Sequence, residues 1–231
     1  MKSTSTSAIY VQGCARSGNT LMRELCVAGF RDAKLLKISK GAAECSLEYL
    51  VRALRRQKSE TPVVLVASRD RPSSHEMDLD HLRSHPQVKV LWMLREPRDV
   101  LTSVHPDKPG TFYVKPERLI QSLELYLRCR NEPQVVTVRY EDLVLEPNSV
   151  QKRIGALLGL KKLRLFTKGY EHFPRFRENV RAMHSIRPID ADSLHRWKAN
   201  APYKEYLRHV FSQYPELRSL ARKCGYRTAL R

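Results

Sequence analysis

The sequence lacks long apolar segments and paired cysteines. In 231 residues no stretch approaches the roughly 18 apolar residues of a membrane-spanning helix. The start, MKSTSTSAIYVQGC, lacks the roughly 7–15-residue apolar segment of a secretory signal peptide. The five cysteines are odd in number and form no C-x-x-C pair, which argues against a disulfide framework or a zinc knuckle. We therefore expect a cytoplasmic protein with reduced thiols.

Metal-binding patterns are also scarce. His81 and His85 are four residues apart and could share a helix face, but no third ligand accompanies them and Pro86 ends the segment. No metal site is therefore predicted.

Glycine is sparse, at 9 residues, and 42% of the chain is hydrophobic, which suits one α/β domain with a sizeable core. No internal repeat and no Pro/Gly-rich linker divides the sequence. We expect a single domain over residues 1–231, with a disordered tip at residues 1–7 and C-terminal helices from about residue 200.

Acidic residues are few in comparison with basic ones. Lys and Arg number 42 against 24 Asp and Glu, a formal net charge of +18. A surface of this charge attracts nucleic acid, anionic membranes, polyanionic glycans or nucleotides without choosing among them.

Short apolar runs alternate with helix-like stretches. The pattern predicts strands at residues 8–11, 63–67, 88–94 and 135–138, and helices at about 18–28, 46–57, from 97, and at 116–130. This alternation predicts an α/β fold of three layers, a parallel sheet flanked by helices, with ligands at the carboxyl ends of the strands.

The sequence GCARSGNT, residues 13–20, follows the first predicted strand and opens the first helix. It has the spacing of a phosphate-binding loop, in which backbone N–H groups and the helix dipole hold an anion. The lysine of nucleoside-triphosphate-binding loops is absent, because Asn19 stands in its place. The candidate binding residues are Gly13, Arg16, Ser17, Gly18, Asn19 and Thr20. The alternative is a strand-to-helix turn that binds nothing.

A second set of polar residues follows the strand at 88–94. In VLWMLREPRDVLTS, Arg95 lies at the carboxyl edge of the strand, and Ser103 is expected late in the helix that Pro97 begins. Both could converge on a second phosphate. The alternative is that Arg95 pairs with Asp99 and that Ser103 has no ligand.

Taken together, ARSGNT, LREPRDVLTS, YEDL, ALLGL and HRWK resemble the motifs of sulfotransferases that use 3′-phosphoadenosine 5′-phosphosulfate (PAPS). The resemblance covers roughly residues 8–200, and implies the P-loop-like sulfotransferase fold. It implies that Arg16 contacts the 5′-phosphosulfate and that Tyr140 lies beside the nucleotide. It also implies that Arg95 and Ser103 hold the 3′-phosphate and that Arg187 covers the same phosphate. The departures are Ala15 and Asn19. PAPS has no γ-phosphate, which explains the missing lysine.

The resemblance leaves the general base and the acceptor open. Many members use a His in a K-T-H-x-P segment, and the nearest match here, SRDRP, has Asp70 at that position. Others use a Glu, which points to Glu44. The acceptor is expected to offer a hydroxyl or an amine, on a glycan or a small metabolite, and the basic surface favours an anionic one. It is predicted to bind in loops at residues 39–48, 71–80 and 105–115.

Two other functions remain open on the sequence. One is a P-loop kinase that phosphorylates a small molecule with ATP and Mg²⁺, although no Walker-B acidic residue ends an adjacent strand. The other is a basic nucleic-acid-binding protein, although the aromatic residues, 8% of the chain, are not interleaved with Lys and Arg.

Overall fold

A central parallel sheet organises the molecule. The computed structural model describes residues 7–36, 47–56, 64–68, 77–174, 183 and 186–227. Within them, the strands are β1 Ala8–Gly13, β2 Ala33–Leu35, β3 Val64–Ser68, β4 Val88–Leu94, β5 Val104–His105, β6 Lys108–Phe112 and β7 Val135–Arg139. Five of these pair in parallel in the order β2-β3-β1-β4-β7, and β5 and β6 form a separate antiparallel hairpin.

Helices cover both faces of the sheet. In chain order they are α1 Asn19–Gly29, α2 Leu47–Arg56, α3 Leu79–Arg83, α4 Pro97–Leu101, α5 Pro116–Cys129, α6 Tyr140–Leu145, α7 Pro147–Leu158, α8 Phe166–Gly169, α9 Ala201–Gln213 and α10 Glu216–Lys223. Short 3-10 helices occupy Tyr170–His172 and Arg196–Ala199. Gly159 ends α7 in the left-handed conformation, with φ 65°.

Alternate residues of β4 face opposite layers, which explains its unbroken apolar run VKVLWML. Trp92 and Leu94 pack with α5, α9 and α10 on one face, whereas Leu91 and Met93 pack with α1 and α7 on the other. Both faces of the strand are therefore buried. The predicted three-layer α/β arrangement is confirmed.

The sequence did not indicate two elements. β2 has only three residues, of which Lys34 is exposed, and the hairpin β5–β6 contains the polar sequence KPGTF. Strands this short carry too few apolar residues to show a period of two. The hairpin replaces part of the loop expected at residues 105–115.

The prediction that Ser103 lies late in a helix was wrong. Helix α4 ends at Leu101, and in the turn that follows the Thr102 hydroxyl donates to the Arg98 carbonyl at 2.6 Å. Ser103 therefore lies just beyond the helix, where the chain turns into β5. It still follows Arg95 closely enough to share a site with it.

The sequence predicts a disordered tip at the N-terminal end and helices at the C-terminal end. The predicted tip lies outside the described residues except for Ser7, whose backbone N–H bonds to the Gln87 carbonyl at 2.9 Å. The C-terminal helices expected from about residue 200 are present as α9 and α10. Within the described ranges, no helix combines the length and apolar character needed to cross a bilayer.

The buried side chain of Gln151 joins α7 to the end of α1 and to the segment that leads into α8. Its amide donates to the carbonyls of Gly29 and Arg164, at 3.0 and 2.5 Å, and its oxygen accepts from the Phe166 N–H at 3.0 Å. One side chain thus satisfies three buried backbone groups.

We expect Gln151→Ala to lower the free energy of unfolding by about 2 kcal/mol or more, because it removes the partner of the Arg164 carbonyl and of the Phe166 N–H, whereas the Gly29 carbonyl still accepts from the Leu163 N–H. Lys152→Ala, at the exposed neighbouring position, serves as the control and should change stability by less than about 0.5 kcal/mol. Urea unfolding monitored by circular dichroism measures both. Equal stability of the two variants would contradict this role.

Candidate active site

The site begins where β1 and β4 come together at the carboxyl edge of the sheet. Gly13, the last residue of β1, lies so close to β4 that a Cβ there would be 2.5 Å from the Met93 carbonyl oxygen. Any larger residue would push the strands apart. The absence of a side chain at this point lets the loop start directly beside Arg95.

The loop between β1 and α1 has an unusual backbone conformation. Arg16 has φ 69° and Gly18 has φ 95°, and a Cβ at Gly18 would be 2.6 Å from the Tyr140 ring. Left-handed backbone at a non-glycine residue is costly and is commonly found at functional sites. Asn19 donates its side-chain amide to the carbonyls of Gly13 and Cys14, at 3.1 and 3.3 Å, and so fixes the loop.

Three of the predicted binding residues contact each other. Arg16 Nε donates to Ser103 Oγ at 2.7 Å, and Arg95 Nη1 donates to the carbonyl of Arg16 at 2.9 Å. The loop, the end of β4 and the turn after α4 therefore meet at one place. An anion bound there would contact donors from all three.

Arg95 also contacts the segment that precedes α9. Its Nη2 donates to the Ser193 carbonyl at 2.8 Å, and its guanidinium carbon lies 4.2 Å from the centre of the Tyr140 ring. Tyr140 in turn shares a hydrogen bond of 2.8 Å with the Ser193 hydroxyl. The Asp99 carboxylate accepts from the His195 N–H at 3.0 Å and holds the same segment.

The electrostatics of the site favour an anion. Burial, and next the positive charge of Arg95, lower the pKa of Arg16 below its ordinary value, while Tyr113 and Tyr140 act in the opposite direction. Burial raises the pKa of Asp99, opposed by the His195 N–H and by the charge of Arg95. Two crowded guanidinium groups repel each other, and a bound anion would relieve that repulsion.

These residues line an open cleft of about 790 Å³. One wall is aromatic: Tyr113 lies 5.6 Å from the Arg16 guanidinium carbon, and His105 stacks on Tyr113 with ring centres 5.0 Å apart. The Asp107 N–H donates to His105 Nδ1, so neutral His105 carries its proton on Nε2. Such a ring is a hydrogen-bond donor rather than a base at Nε2.

Comparison with known families identifies the chain. The model of the sulfotransferase domain matches residues 7–173, which include the loop, Arg95, Ser103 and Tyr140. The chain belongs to the sulfotransferase family. A comparison with curated proteins finds no match.

Solved structures of other sulfotransferases have the same fold. The sulfotransferase domain of the Synechococcus PCC 7002 olefin synthase is 18% identical, with a TM-score of 0.56 over 87% of this chain and 90% of that one. The sulfotransferase domain of the curacin biosynthetic pathway is 15% identical, with a TM-score of 0.55 over 92% and 98%. Mouse sulfotransferase SULT7A1, complexed with PAP, is 14% identical, with a TM-score of 0.55 over 90% and 84%. These likenesses establish the P-loop-like sulfotransferase fold.

Most of the predicted binding residues of this sulfotransferase line the cleft. They are Arg16, Gly18, Asn19, Thr20, Arg95, Ser103, Tyr140 and Arg187. Gly13 and Ser17, which also belong to the loop, do not line the cleft. Arg187 forms an ion pair with Asp190, three residues along, so binding an anion would require it to exchange partners. The predicted bases, Asp70 and Glu44, lie outside the described residues and remain predictions.

The cleft residues that were not singled out as ligand-binding include Asp99, His105, Tyr113 and Ser193. The sequence offered Asp99 only as an ion-pair partner of Arg95, whereas the Arg95 side chain donates to the carbonyls of Arg16 and Ser193. His105 and Tyr113 flank a hairpin that the sequence did not indicate. The only available signal was their position within the predicted acceptor loop at 105–115.

Among the residues that the structure describes, no group of three or more His, Cys, Asp or Glu side chains could hold a metal ion. His81 and His85 do approach, with ring centres 4.6 Å apart, although α3 ends before His85.

Cys14 lies inside the loop, but its thiol is buried. Burial raises the pKa of Cys14 to about 12, so the thiol is almost wholly protonated at neutral pH. The thiols of Cys26, Cys129 and Cys224 are likewise free and buried.

We expect iodoacetamide at pH 8 to leave Cys14 unmodified in the folded protein and to modify it in urea, because alkylation needs an exposed thiolate. Peptide mass spectrometry measures both. Rapid alkylation of Cys14 in the folded state would show that the thiol is accessible and ionised, and would reopen a nucleophilic role.

Proposed function

We propose that this sulfotransferase uses PAPS as its donor and transfers the sulfuryl group to a hydroxyl or amine of its acceptor. The observation that carries this proposal is the contact of Arg16 with both Ser103 and Arg95, which brings two cationic side chains to one helix N-terminus. The PAP bound in mouse SULT7A1 supports the same donor.

The cleft suits a nucleotide with two separate anionic groups. The N–H groups at the start of α1 and the Thr20 hydroxyl would hold the 5′-phosphosulfate, while Arg95 and Ser103 would hold the 3′-phosphate. Arg95 would exchange its carbonyl contacts for phosphate oxygens. Tyr140 stacks on Arg95 and would flank the nucleotide, and Arg187 would cover it from the late segment.

The chemistry requires stabilisation of a leaving group. The bond between sulfur and the bridging oxygen breaks as the acceptor oxygen or nitrogen bonds to sulfur, and the bridging oxygen gains negative charge. Arg16 would donate to that oxygen. Arginine keeps its charge in proteins, and the buried, preorganised setting of Arg16 strengthens the interaction.

The acceptor would approach along the aromatic wall of Tyr113 and His105. A hydroxyl or amine carried on an apolar or aromatic frame fits this wall, and the basic rim also accepts an anionic substituent. The acceptor proton would pass to Asp70, with Glu44 as the alternative. Asp70 follows Ser68 by two residues, and Ser68 is paired with Val11 just before the loop.

The other two functions are less well supported. A kinase needs the loop lysine and a Walker-B carboxylate, whereas Asn19 has its amide turned onto the loop carbonyls. A nucleic-acid-binding role was suggested by charge alone. Family membership favours sulfuryl transfer over both.

We expect 3′-phosphoadenosine 5′-phosphate to bind about 10²-fold more tightly than adenosine 5′-phosphate, because two charge-assisted contacts to the 3′-phosphate are each worth about 1.5–3 kcal/mol before desolvation costs. Isothermal titration calorimetry measures both affinities. Ser103→Ala should weaken only the binding of the 3′-phosphorylated nucleotide.

The control for this experiment is Arg208→Ala, at an exposed position on α9, which should change neither affinity. ATP with Mg²⁺ is titrated in parallel. Equal affinity for the two adenosine nucleotides would remove the 3′-phosphate site, and preferential binding of ATP with Mg²⁺ would favour the kinase.

We expect Arg16→Ala to lower the rate of sulfuryl transfer by about 10²–10³-fold while weakening PAPS binding by less than about tenfold, because the charge that Arg16 meets develops in the transition state. Single-turnover assays with labelled PAPS, and an acceptor found by screening phenols, amines, glycans and lipids, measure the rate.

Arg16→Lys is the matched variant, since it retains the positive charge and the same backbone conformation. It should recover part of the lost rate. If PAPS binding fell while the single-turnover rate stayed at the wild-type value, Arg16 would stabilise bound PAPS but not the transition state.

A further inference from the structure

A surface away from the cleft combines basic side chains with exposed leucines. It is built on the chain after α7, residues 161–168, with the sequence KKLRLFTK. Leu163 and Leu165 are 46% and 42% exposed, and they are two of the four large apolar side chains that stay exposed in the described part of the chain. The two leucines are separated by one residue on the short chain between α7 and α8.

The leucines are exposed although their backbone is fixed. The N–H of Leu163 donates to the Gly29 carbonyl at 2.8 Å, and the N–H of Arg31 donates to the Lys161 carbonyl at 2.8 Å. Gln151 holds the next residues from α7. A segment tied down on both sides presents its apolar side chains outward as a formed surface.

Basic residues surround the two leucines. Those on this segment and on the chain bonded to it are Arg31, Lys152, Lys161, Lys162, Arg164 and Lys168, all exposed except the half-buried Arg164. The nearby acidic residues are fewer: Asp32, Glu146 and Glu171, the last of which lies 3.8 Å from Lys168. We call these six basic residues with Leu163 and Leu165 the basic–leucine surface.

We propose that the basic–leucine surface binds anionic phospholipid bilayers. Clustered Lys and Arg are attracted to anionic headgroups, and leucine side chains between them can enter the boundary with the acyl chains while the lysines reach back to the phosphates. A nucleic acid would match the charge but would leave the leucines in water. In a symmetric contact with a second copy, the basic residues would face each other and repel.

The position of the surface suits an enzyme held at a membrane. Helix α1 starts at the candidate active site and ends at Gly29, beside this surface, and its 11 residues span about 16 Å. The cleft therefore lies at the other end of the helix and would face away from the bilayer. Membrane binding and donor binding use different residues, so each can be tested without the other.

The test uses the full chain and sedimentation with vesicles of phosphatidylcholine, with and without phosphatidylserine as about a third of the lipid. We expect binding to the anionic vesicles only, reduced by high salt. Lys161→Glu with Lys162→Glu should weaken binding by about 30-fold or more, since each basic side chain near an anionic surface is worth about fivefold. Leu163→Ser with Leu165→Ser should weaken it roughly tenfold.

The matched control is Arg222→Glu with Lys223→Glu at the exposed end of α10, which lowers the net charge of +18 by the same amount as the lysine variant. It should bind vesicles nearly as the wild type does. Each variant should also bind 3′-phosphoadenosine 5′-phosphate as the wild type does, which separates a loss of membrane binding from a loss of fold or of the donor site.

Several results would overturn the proposal. Equal losses from the two charge reversals would mean diffuse attraction by the whole molecule. Unchanged binding of the leucine variant would exclude insertion of the leucines. A dimer in sedimentation velocity that the leucine variant dissociates would assign the surface to a second copy, and stronger binding to duplex DNA, competing with vesicles, would assign it to nucleic acid.

Discussion

The guanidinium of Arg95 is the contact on which the arrangement of the site depends. It donates to the Arg16 carbonyl in the loop and to the Ser193 carbonyl in the late segment, and it stacks on Tyr140 at the start of α6. Four separate parts of the chain thus meet at one side chain on the end of β4. That position exists because Gly13 has no side chain to hold β1 and β4 apart at their carboxyl ends.

Placing Arg95 there has an electrostatic cost. The buried guanidinium of Arg16 lies beside it, and the two charges disfavour each other. Carbonyl oxygens and aromatic faces offset only part of this repulsion, because they carry partial charges. A site of this kind is more stable with an anion bound. The repulsion between the two guanidinium groups therefore lowers the stability of the protein without ligand and favours binding of an anion. The family comparison and the electrostatics agree on this point.

The sequence predicted the elements whose burial or motif spacing leaves a regular residue pattern, such as β4 and the loop before α1. β4 is buried on both faces and therefore appears in the sequence as an unbroken apolar run, and the loop before α1 has the residue spacing of a phosphate-binding loop. The hairpin that carries His105 was not predictable, since its strands are short and polar. Ser103 was misplaced within a helix because neither glycine nor proline directly follows Leu101, the last residue of α4.

Basic residues lie at both ends of α1, in the cleft at its start and on the basic–leucine surface at its end. The proposed donor, with two anionic groups, would contact only a few cations, among them Arg16 and Arg95, which leaves most of the net charge of +18 elsewhere. Around Leu163 and Leu165 basic residues lie beside apolar surface that the fold could have covered but does not. Charge alone would favour any polyanion, whereas charge with exposed leucine favours a partner that is anionic at its surface and apolar beneath. A bilayer meets both conditions, and it leaves the cleft open to nucleotide and acceptor from the opposite side.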